Sequence, residues 1–309
     1  MVFMPLLNQI LVLFMILLVG LIIYRLKVID ETFINGLSRL VIDVTLPALI
    51  ITSMSFDFSR EILWESGQLF VISLGLYLGS WLLSIILLYK FEIGPKANDI
   101  FQFMLVFPNV GFMGYPVINA IYGDIGVFYA SIFNFTYGLL VWTLGVWIFR
   151  RREGDSFSFK WSSILTPGFI AVIVGFIFFL FSVELPGPIN QTLELLGGTT
   201  TPLSMLLVGA LMARTAISDI WRQYRLHLIG MVRLIVIPLI ALIVVKPLGL
   251  SDIMLGVVVL LAGMPAAANT AIFAERYGGD AEIGAKIVFI TTFFSIITIP
   301  GLVFILESF

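Results

Sequence analysis

Long apolar stretches separated by short polar segments run along the whole 309-residue chain. A helix that crosses a membrane needs about 20 apolar residues. Eight stretches without Asp, Glu, Lys or Arg reach that length or fall within a residue of it: 1–24, 66–89, 100–123, 125–149, 161–183, 195–213, 253–274 and 287–306. Two more, 37–56 and 226–245, are apolar apart from Arg39, Asp43 and Arg233. The pattern therefore predicts ten membrane-spanning helices.

Composition agrees with this pattern and narrows the function classes. Hydrophobic residues make up 60% of the sequence and charged residues 12%, roughly half the charged share of a soluble domain. The first apolar stretch has neither a basic leader nor a small-residue cleavage site, so we interpret it as a retained helix. The net charge of −2 does not favour nucleic acid. With no cysteine, one histidine (His227) and no P-loop, His-Glu-x-x-His or Gly-x-Ser-x-Gly motif, we expect no catalytic residue, metal or cofactor.

The distribution of lysine and arginine predicts the orientation in the membrane. With the N-terminus outside, the outside loops carry Arg60 and Lys246, whereas fourteen basic residues fall inside. These fourteen are Arg25, Lys27, Arg39, Lys90, Lys96, Arg150, Arg151, Arg152, Lys160, Arg214, Arg222, Arg225, Arg276 and Lys286. Both termini are therefore expected on the extracytoplasmic side.

The chain repeats itself at about half its length. Landmarks recur in order at offsets of 155 to 157 positions: Gly20 and Gly175, Pro47 and Pro202, Lys90 and Lys246, Pro108 and Pro265, and Tyr122-Gly123 and Tyr277-Gly278. Each half holds five predicted helices, an odd number, so the second half enters from the opposite face. We therefore predict an all-α membrane protein of two inverted five-helix repeats, 1–153 and 154–309. Coincidence among abundant glycines and prolines is the alternative.

The fourth and ninth predicted helices are interrupted near their centres. The fourth reads Pro-Asn-Val-Gly-Phe-Met-Gly-Tyr-Pro over 108–116, and the ninth reads Gly-Met-Pro-Ala-Ala-Ala-Asn over 263–269. Each proline removes a backbone donor, and in hydrocarbon such breaks survive only where protein or a wet cavity covers them. Two interrupted helices at matching positions of inverted halves predict a binding site at the membrane midplane. An ordinary proline kink is the alternative.

The predicted breaks favour an anionic ligand. Where a helix restarts, its first N–H groups lack partners and the positive end of its dipole faces the gap. Two converging restarts would hold a carboxylate without a buried lysine or arginine. Asn109 and Asn269 can cap the restarts and offer amide groups to a ligand. For each asparagine, a purely structural cap is the alternative.

At these residues the chain resembles a known family. The stretch Pro-Asn-Val-Gly-Phe-Met-Gly-Tyr-Pro-Val-Ile-Asn-Ala-Ile-Tyr-Gly at 108–123 is similar to the fourth-helix signature of the auxin efflux carrier family, which includes plant PIN exporters and bacterial dicarboxylate permeases. The stretch 264–278 and the tail to Pro300 are similar as well. Only about ten residues join the two halves, whereas the plant exporters have a long hydrophilic loop there. The resemblance therefore implies the compact bacterial branch and a bacterial inner membrane.

The resemblance also implies a scaffold domain and a transport domain that move relative to each other, with the broken helices 4 and 9 crossing in the transport domain. Pro108 and Pro265 would mark the crossing, and Asn109 matches the family's substrate-contacting asparagine. The expected substrate site comprises Pro108, Asn109, Val110, Gly111, Pro265, Ala268 and Asn269. The more distant bile-acid sodium symporters share the crossover but depend on Glu and Gln near it, and no such cluster adjoins Pro265.

Charged residues at membrane depth are candidates for coupling or gating. Asp43 could carry a coupling proton if it is buried, or could form a structural pair with Arg39 or Arg233. Arg233 is expected to extend toward the inner membrane face, and attraction of an anionic substrate is the alternative. These two residues are therefore coupling candidates with open roles.

Residues nearer the helix ends have less specific roles. Glu275, the third candidate, adjoins Arg276, and we interpret the two either as a gate or as an interfacial pair. Thr45, Thr200 and Thr201 precede the matched prolines. We expect their hydroxyls to hydrogen-bond the backbone that those prolines free.

The sequence therefore predicts a secondary active transporter or facilitative carrier of a small organic anion, such as an auxin-like acid or a dicarboxylate, working by an elevator mechanism. The alternative is a sodium- or proton-coupled symporter of the bile-acid type. An intramembrane enzyme would need a catalytic pair facing a cavity, and the isolated Asp43 offers none. Expected partners are the anion and membrane lipid. Proton or sodium coupling and a homodimeric assembly are left open.

Overall fold

The computed structural model of the protein describes residues 3–89, 94–151, 164–215, 220–277 and 279–308. Within these ranges the chain is helical, and its one β-type pairing is an isolated bridge. The helices are α1 Phe3–Arg25, α2 Glu31–Thr52, α3 Arg60–Tyr89, α4 Pro95–Val106, α5 Val110–Arg150, α6 Pro167–Phe181, α7 Gly187–Arg214, α8 Tyr224–Leu248, α9 Asp252–Ala262, α10 Thr270–Arg276 and α11 Ala281–Glu307. The prediction of an all-α chain is confirmed over the described residues.

Seven of the described helices are long and apolar enough to cross a membrane, namely α1, α2, α3, α5, α7, α8 and α11. Two shorter apolar helices, α6 and α9, accompany them. The chain is therefore a multi-pass membrane protein. The count of ten spans and the inverted repeat remain predictions. Four residues used in those sequence arguments, Lys90, Arg152, Lys160 and Gly278, lie outside the described ranges.

Polar caps fix where several helices begin. Asp30 accepts a hydrogen bond from the N–H of Phe33 at 2.8 Å and starts α2. Thr166 accepts one from Phe169 at 3.3 Å, and Pro167 follows at the first position of α6. A capping side chain satisfies one of the N–H groups that a helix start leaves without a partner, and proline fits the first helical position because its N–H is not needed there.

Helix α5 runs through both the fourth and the fifth predicted spans, so the expected boundary between them is not a loop. A sharp bend at Gly123 separates them instead. Its backbone angles, φ +60° and ψ −150°, lie in a region that only glycine adopts readily. The chain can therefore bend sharply here without a connecting loop.

Gly123→Ala is expected to lower the free energy of unfolding by about 1–3 kcal/mol, because a Cβ makes these backbone angles costly. The measurement is the melting temperature of detergent-purified protein. Gly36→Ala is the matched control, since Gly36 lies in α2 with open space where its Cβ would be. Equal melting of the two variants would show that the bend does not depend on glycine.

Helices α1 and α7 pack with almost no space between their backbones. A Cβ at Gly20 would overlap the carbonyl group of Leu206, and one at Gly209 would overlap the carbonyl group of Leu17. Small residues that allow such close approach are common between helices in lipid. Helix α2 contacts both α6 and α7, and we refer to α1, α2, α6 and α7 as the first helix group.

Wide π-turns precede prolines inside three helices. These turns are Val41–Thr45 before Pro47 in α2, Val110–Gly114 before Pro116 in α5 and Val232–Val236 before Pro238 in α8. In α2 the wide turn shifts the backbone pairing by one residue, and the N–H of Leu46 bonds the carbonyl of Val41. The helix therefore accommodates the proline, which has no N–H to donate, without breaking.

This geometry makes the expectation for Thr45, Thr200 and Thr201 wrong. Their hydroxyl oxygens are buried and have no hydrogen-bond partner among the described residues. In α2 the π-turn has already rearranged the backbone bonds. In α7, Pro202 lies in the first turn of the segment Thr200–Arg214, where N–H groups have no partner within the helix in any case.

Candidate functional site

The two breaks predicted from the sequence lie against each other. Helix α4 ends before Pro108 and α5 begins after it, while α9 ends before Pro265 and α10 begins beyond it. The N–H of Asn109 donates to the carbonyl of Pro265 at 2.8 Å, and the N–H of Ala267 donates to the carbonyl of Phe107 at 3.2 Å. These two bonds form an isolated antiparallel bridge between Pro108 and Ala266. Each broken helix thus provides hydrogen-bond partners for backbone groups that the other leaves free. Such partners are needed because lipid hydrocarbon offers none.

A cavity of about 280 Å³ lies beside this crossing. Helices α2 and α6 form one wall, and α5 and the two breaks form the other. Six of the seven predicted substrate-site residues line it, namely Pro108, Asn109, Val110, Gly111, Ala268 and Asn269. The seventh, Pro265, does not line the cavity and instead bonds Asn109 through its carbonyl. The structure therefore brings the predicted site residues together at one place.

The two polar atoms of the Asn109 amide have different surroundings. The residue is 4% exposed, and its Oδ1 accepts a hydrogen bond from the N–H of Phe112 at 3.2 Å, which caps α5. Its Nδ2 is buried and has no partner among the described residues. The carbonyl half of the amide is therefore structural, whereas the donor half is available to a ligand.

Asn269 does not cap its helix as the sequence predicted. No side-chain capping bond is present at the start of α10. The amide instead faces the hydroxyl of Tyr137 from α5, with Nδ2 at 3.3 Å and Oδ1 at 3.4 Å. Tyr137 also lines the cavity, and the ring of Phe107 packs against it edge to face at 5.6 Å. Sequence reasoning missed Tyr137, since a tyrosine in an apolar span carries no distinguishing pattern.

Arg233 neither extends to the membrane face nor lines the cavity, contrary to both sequence interpretations. Its side chain is 1% exposed. Its Nε donates to the carbonyl of Met264 at 3.0 Å and its Nη1 donates to the carbonyl of Leu105 at 2.8 Å. The carbonyl of Leu105 lacks its usual helical donor because the N–H of Asn109 bonds Pro265 instead. The carbonyl groups at the two breaks therefore accept the hydrogen bonds that keep Arg233 inside the protein.

Asp43 lies on the exposed surface of α2, so the expectation that burial lets it carry a proton is not supported. Among the described residues it forms no ion pair, and the pairs suggested with Arg39 and Arg233 are not formed. Glu275 is likewise exposed on α10, and its neighbour Arg276 lies over the ring of Tyr277 at 5.7 Å. None of the described residues forms a group of three or more His, Asp or Glu able to hold a metal ion.

A multi-pass helical chain whose broken helices cross beside a cavity has the features of a membrane transporter. The chain belongs to the membrane transport protein family, the auxin efflux carrier family that its signature resembles, because the family model described as "Membrane transport protein" matches residues 5–303. The family is one of transporters and not of enzymes.

Relatives match over nearly their whole length. An uncharacterized transporter of Methanothermobacter thermautotrophicus is 26% identical over 306 residues, covering 97% of this chain and 98% of the relative. The uncharacterized transporter MJ1031 of Methanocaldococcus jannaschii is 24% identical over 299 residues, covering 94% and 96%. The uncharacterized transporter YfdV of Escherichia coli K12 is 22% identical over 295 residues, covering 92% of each chain.

Proposed function

We propose that the protein is a secondary carrier that binds a small organic anion, a mono- or dicarboxylate, in the cavity beside the crossing. The observation that carries this proposal is the Nδ2 donor of Asn109, which is buried, unpartnered among the described residues and part of the cavity wall. A buried donor without an acceptor costs roughly 1–3 kcal/mol. A carboxylate oxygen bound at this point would remove that cost.

The electrostatics of the cavity favour an anion over a cation. Its lining residues include no Asp, Glu, Lys or Arg. Val110 and Gly111, which begin α5, belong to the wall, so the positive end of the part of α5 before Gly123 faces the cavity. A site that attracts an anion through backbone and amide dipoles, with no fixed counter-charge in its wall, can also release the anion.

The rest of the cavity wall is lined by aromatic rings, which favours a ligand with a small apolar part. Phe135 and Phe169 stack there with ring centroids 4.6 Å apart, and Trp142 of α5 also lines the cavity. An aromatic or aliphatic acid would place its carboxylate at Asn109 and its apolar part against these rings. Auxin-like acids and short dicarboxylates are therefore the ligands to test first.

The position of the cavity supports an elevator mechanism. Ile42 and Leu46 of α2 and Val172 of α6 contribute to it from the first helix group, whereas the crossing contributes from the remaining helices. Displacement of the crossing and α5 along the first helix group would carry the ligand between the two sides. In this proposal the tightly packed α1 and α7 belong to the scaffold. The whole chain forms a ten-span inverted repeat, and both of its termini are extracytoplasmic.

Counterflow in proteoliposomes tests the proposal. Vesicles are loaded with an unlabelled carboxylate, and uptake of the labelled form is compared with uptake of its neutral amide analogue. Saturable exchange of at least one carboxylate and none of its amide is expected. Exchange should fall about tenfold in Asn109→Ala, which removes one hydrogen bond to a charged ligand, and stay unchanged in Asn190→Ala. Exchange of neutral or cationic solutes with no exchange of carboxylates would overturn the proposal.

A further inference from the structure

The guanidinium of Arg233 lies at the crossing but outside the cavity. It reaches from α8 and donates to the carbonyl of Leu105 at 2.8 Å and to the carbonyl of Met264 at 3.0 Å. Leu105 belongs to the last turn of α4, and Met264 follows the end of α9. One buried cation therefore contacts both broken helices at the ends opposite to those that face the cavity.

Such helix ends attract cations. The last carbonyls of a helix have no intrahelical partner, and the negative end of the dipole lies there. In transporters with broken helices, unwound carbonyls and the C-terminal ends of half-helices commonly hold the coupling sodium ion or proton. In this protein, Arg233 already bonds one such carbonyl from each break.

We propose that Arg233 is a built-in cation that takes the place of a coupling sodium ion at the crossing. It is a positioning residue, since it lies outside the cavity and acts through α4 and α9. By bonding both breaks at once it fixes their mutual register, and that register sets the position of Asn109. The consequence for transport rests on the proposed function: movement of the anion requires no sodium.

The charge of Arg233 is also not neutralised by an acidic side chain. Among the residues that the structure describes, no Asp or Glu lies within ion-pair distance of it. Its Nη2 is buried without a hydrogen-bond partner, and Arg233 borders a void of about 10 Å³ together with Tyr77 and Pro108. A void of that size has room for about one water molecule.

The same proline connects this void to the substrate site. Pro108 borders both the void and the cavity, so the backbone of the break separates the guanidinium from the ligand. In a medium of low dielectric constant a charge acts strongly over such a separation. Arg233 therefore cancels the negative helix ends behind the crossing and leaves the anion facing the positive end of α5.

Chemical rescue of melting tests the positioning role without relying on transport. Arg233→Ala leaves a space that methylguanidinium can enter. Its melting temperature should fall by about 10 °C, because two hydrogen bonds from a charged group are lost, and methylguanidinium should restore much of it. Wild type and Arg39→Ala, a control at an exposed arginine, should not respond. The inference would be overturned if Arg233→Ala melted like wild type. It would also be overturned if methylguanidinium changed the melting temperature of all three proteins equally.

Ion replacement tests the coupling consequence. Wild-type counterflow should be the same with sodium or choline as the cation. Arg233→Lys keeps the charge and should retain most of the exchange, whereas Arg233→Met should lose at least about tenfold, because both charged hydrogen bonds to the breaks are removed. Loss of wild-type exchange in choline, or full exchange by Arg233→Met, would overturn the inference. If no carboxylate is exchanged in any condition, the proposed function fails, while the rescue of melting still decides whether Arg233 holds the breaks.

Discussion

Asn109→Asp is expected to weaken carboxylate binding roughly 100-fold once the new carboxyl is ionised, while keeping the helix cap. Aspartate keeps the oxygen that accepts the N–H of Phe112 at 3.2 Å, and it caps helices as well as asparagine does. It replaces the unpartnered Nδ2 donor with a second, negatively charged acceptor. The substitution thus removes the proposed contact and adds repulsion without removing the cap.

The measurement is equilibrium binding of a labelled carboxylate to detergent-purified protein, together with the melting temperature of each variant. Asn190→Asp is the matched control, since the amide of Asn190 bonds Glu194 outside the cavity. We expect Asn190→Asp to melt close to wild type and Asn109→Asp to melt lower, because an ionised carboxyl is costly at a buried position. Only Asn109→Asp should lose affinity for the carboxylate. Unchanged affinity in Asn109→Asp, at a pH high enough to ionise the new carboxyl, would mean that Asn109 serves only as a helix cap.

Gly209→Ala is expected to lower the free energy of unfolding by about 3 kcal/mol or more and the melting temperature by about 10 °C. A Cβ at this position would overlap the backbone carbonyl of Leu17 in α1. A flexible side chain could move aside, but two packed helix backbones have to separate. The effect should therefore exceed that of most substitutions on the surface of the protein.

Melting of Gly209→Ala is best compared with that of Gly75→Ala. Gly75 also lies within a helix, α3, but nothing lies within 4 Å of where its Cβ would be. Alanine there should be neutral or stabilising by about 0.5–1 kcal/mol, because glycine is a poor helix former. If Gly209→Ala melts like Gly75→Ala, α1 and α7 are not held as closely as their backbones indicate.

The features best predicted from the sequence are those with a strong local signal. Proline in an apolar span has few structural solutions, because the freed carbonyl needs a partner in hydrocarbon. Pro108 and Pro265 therefore indicate both that the helices break and that the breaks are covered. Asn109, next to the first proline, could be assigned to the site for the same reason.

The features that sequence could not predict depend on three-dimensional contacts. The partner of Asn269 is Tyr137, which lies 132 positions away in a different helix. Arg233 bonds a carbonyl 128 positions away, so its inward direction is set by acceptors that no local pattern reveals. The preference of arginine for the membrane face is outweighed here, because two carbonyls with no helical donor of their own receive its hydrogen bonds.

An experimental structure with a transported carboxylate bound tests the proposed site most directly. We expect density for the ligand in the cavity, with a carboxylate oxygen within hydrogen-bond distance of Asn109 Nδ2 and the apolar part against Phe135 and Phe169. Arg233 should keep its bonds to the two breaks in that structure. A carboxylate bound elsewhere, with Asn109 Nδ2 left without a ligand contact, would show that the crossing is not the substrate site.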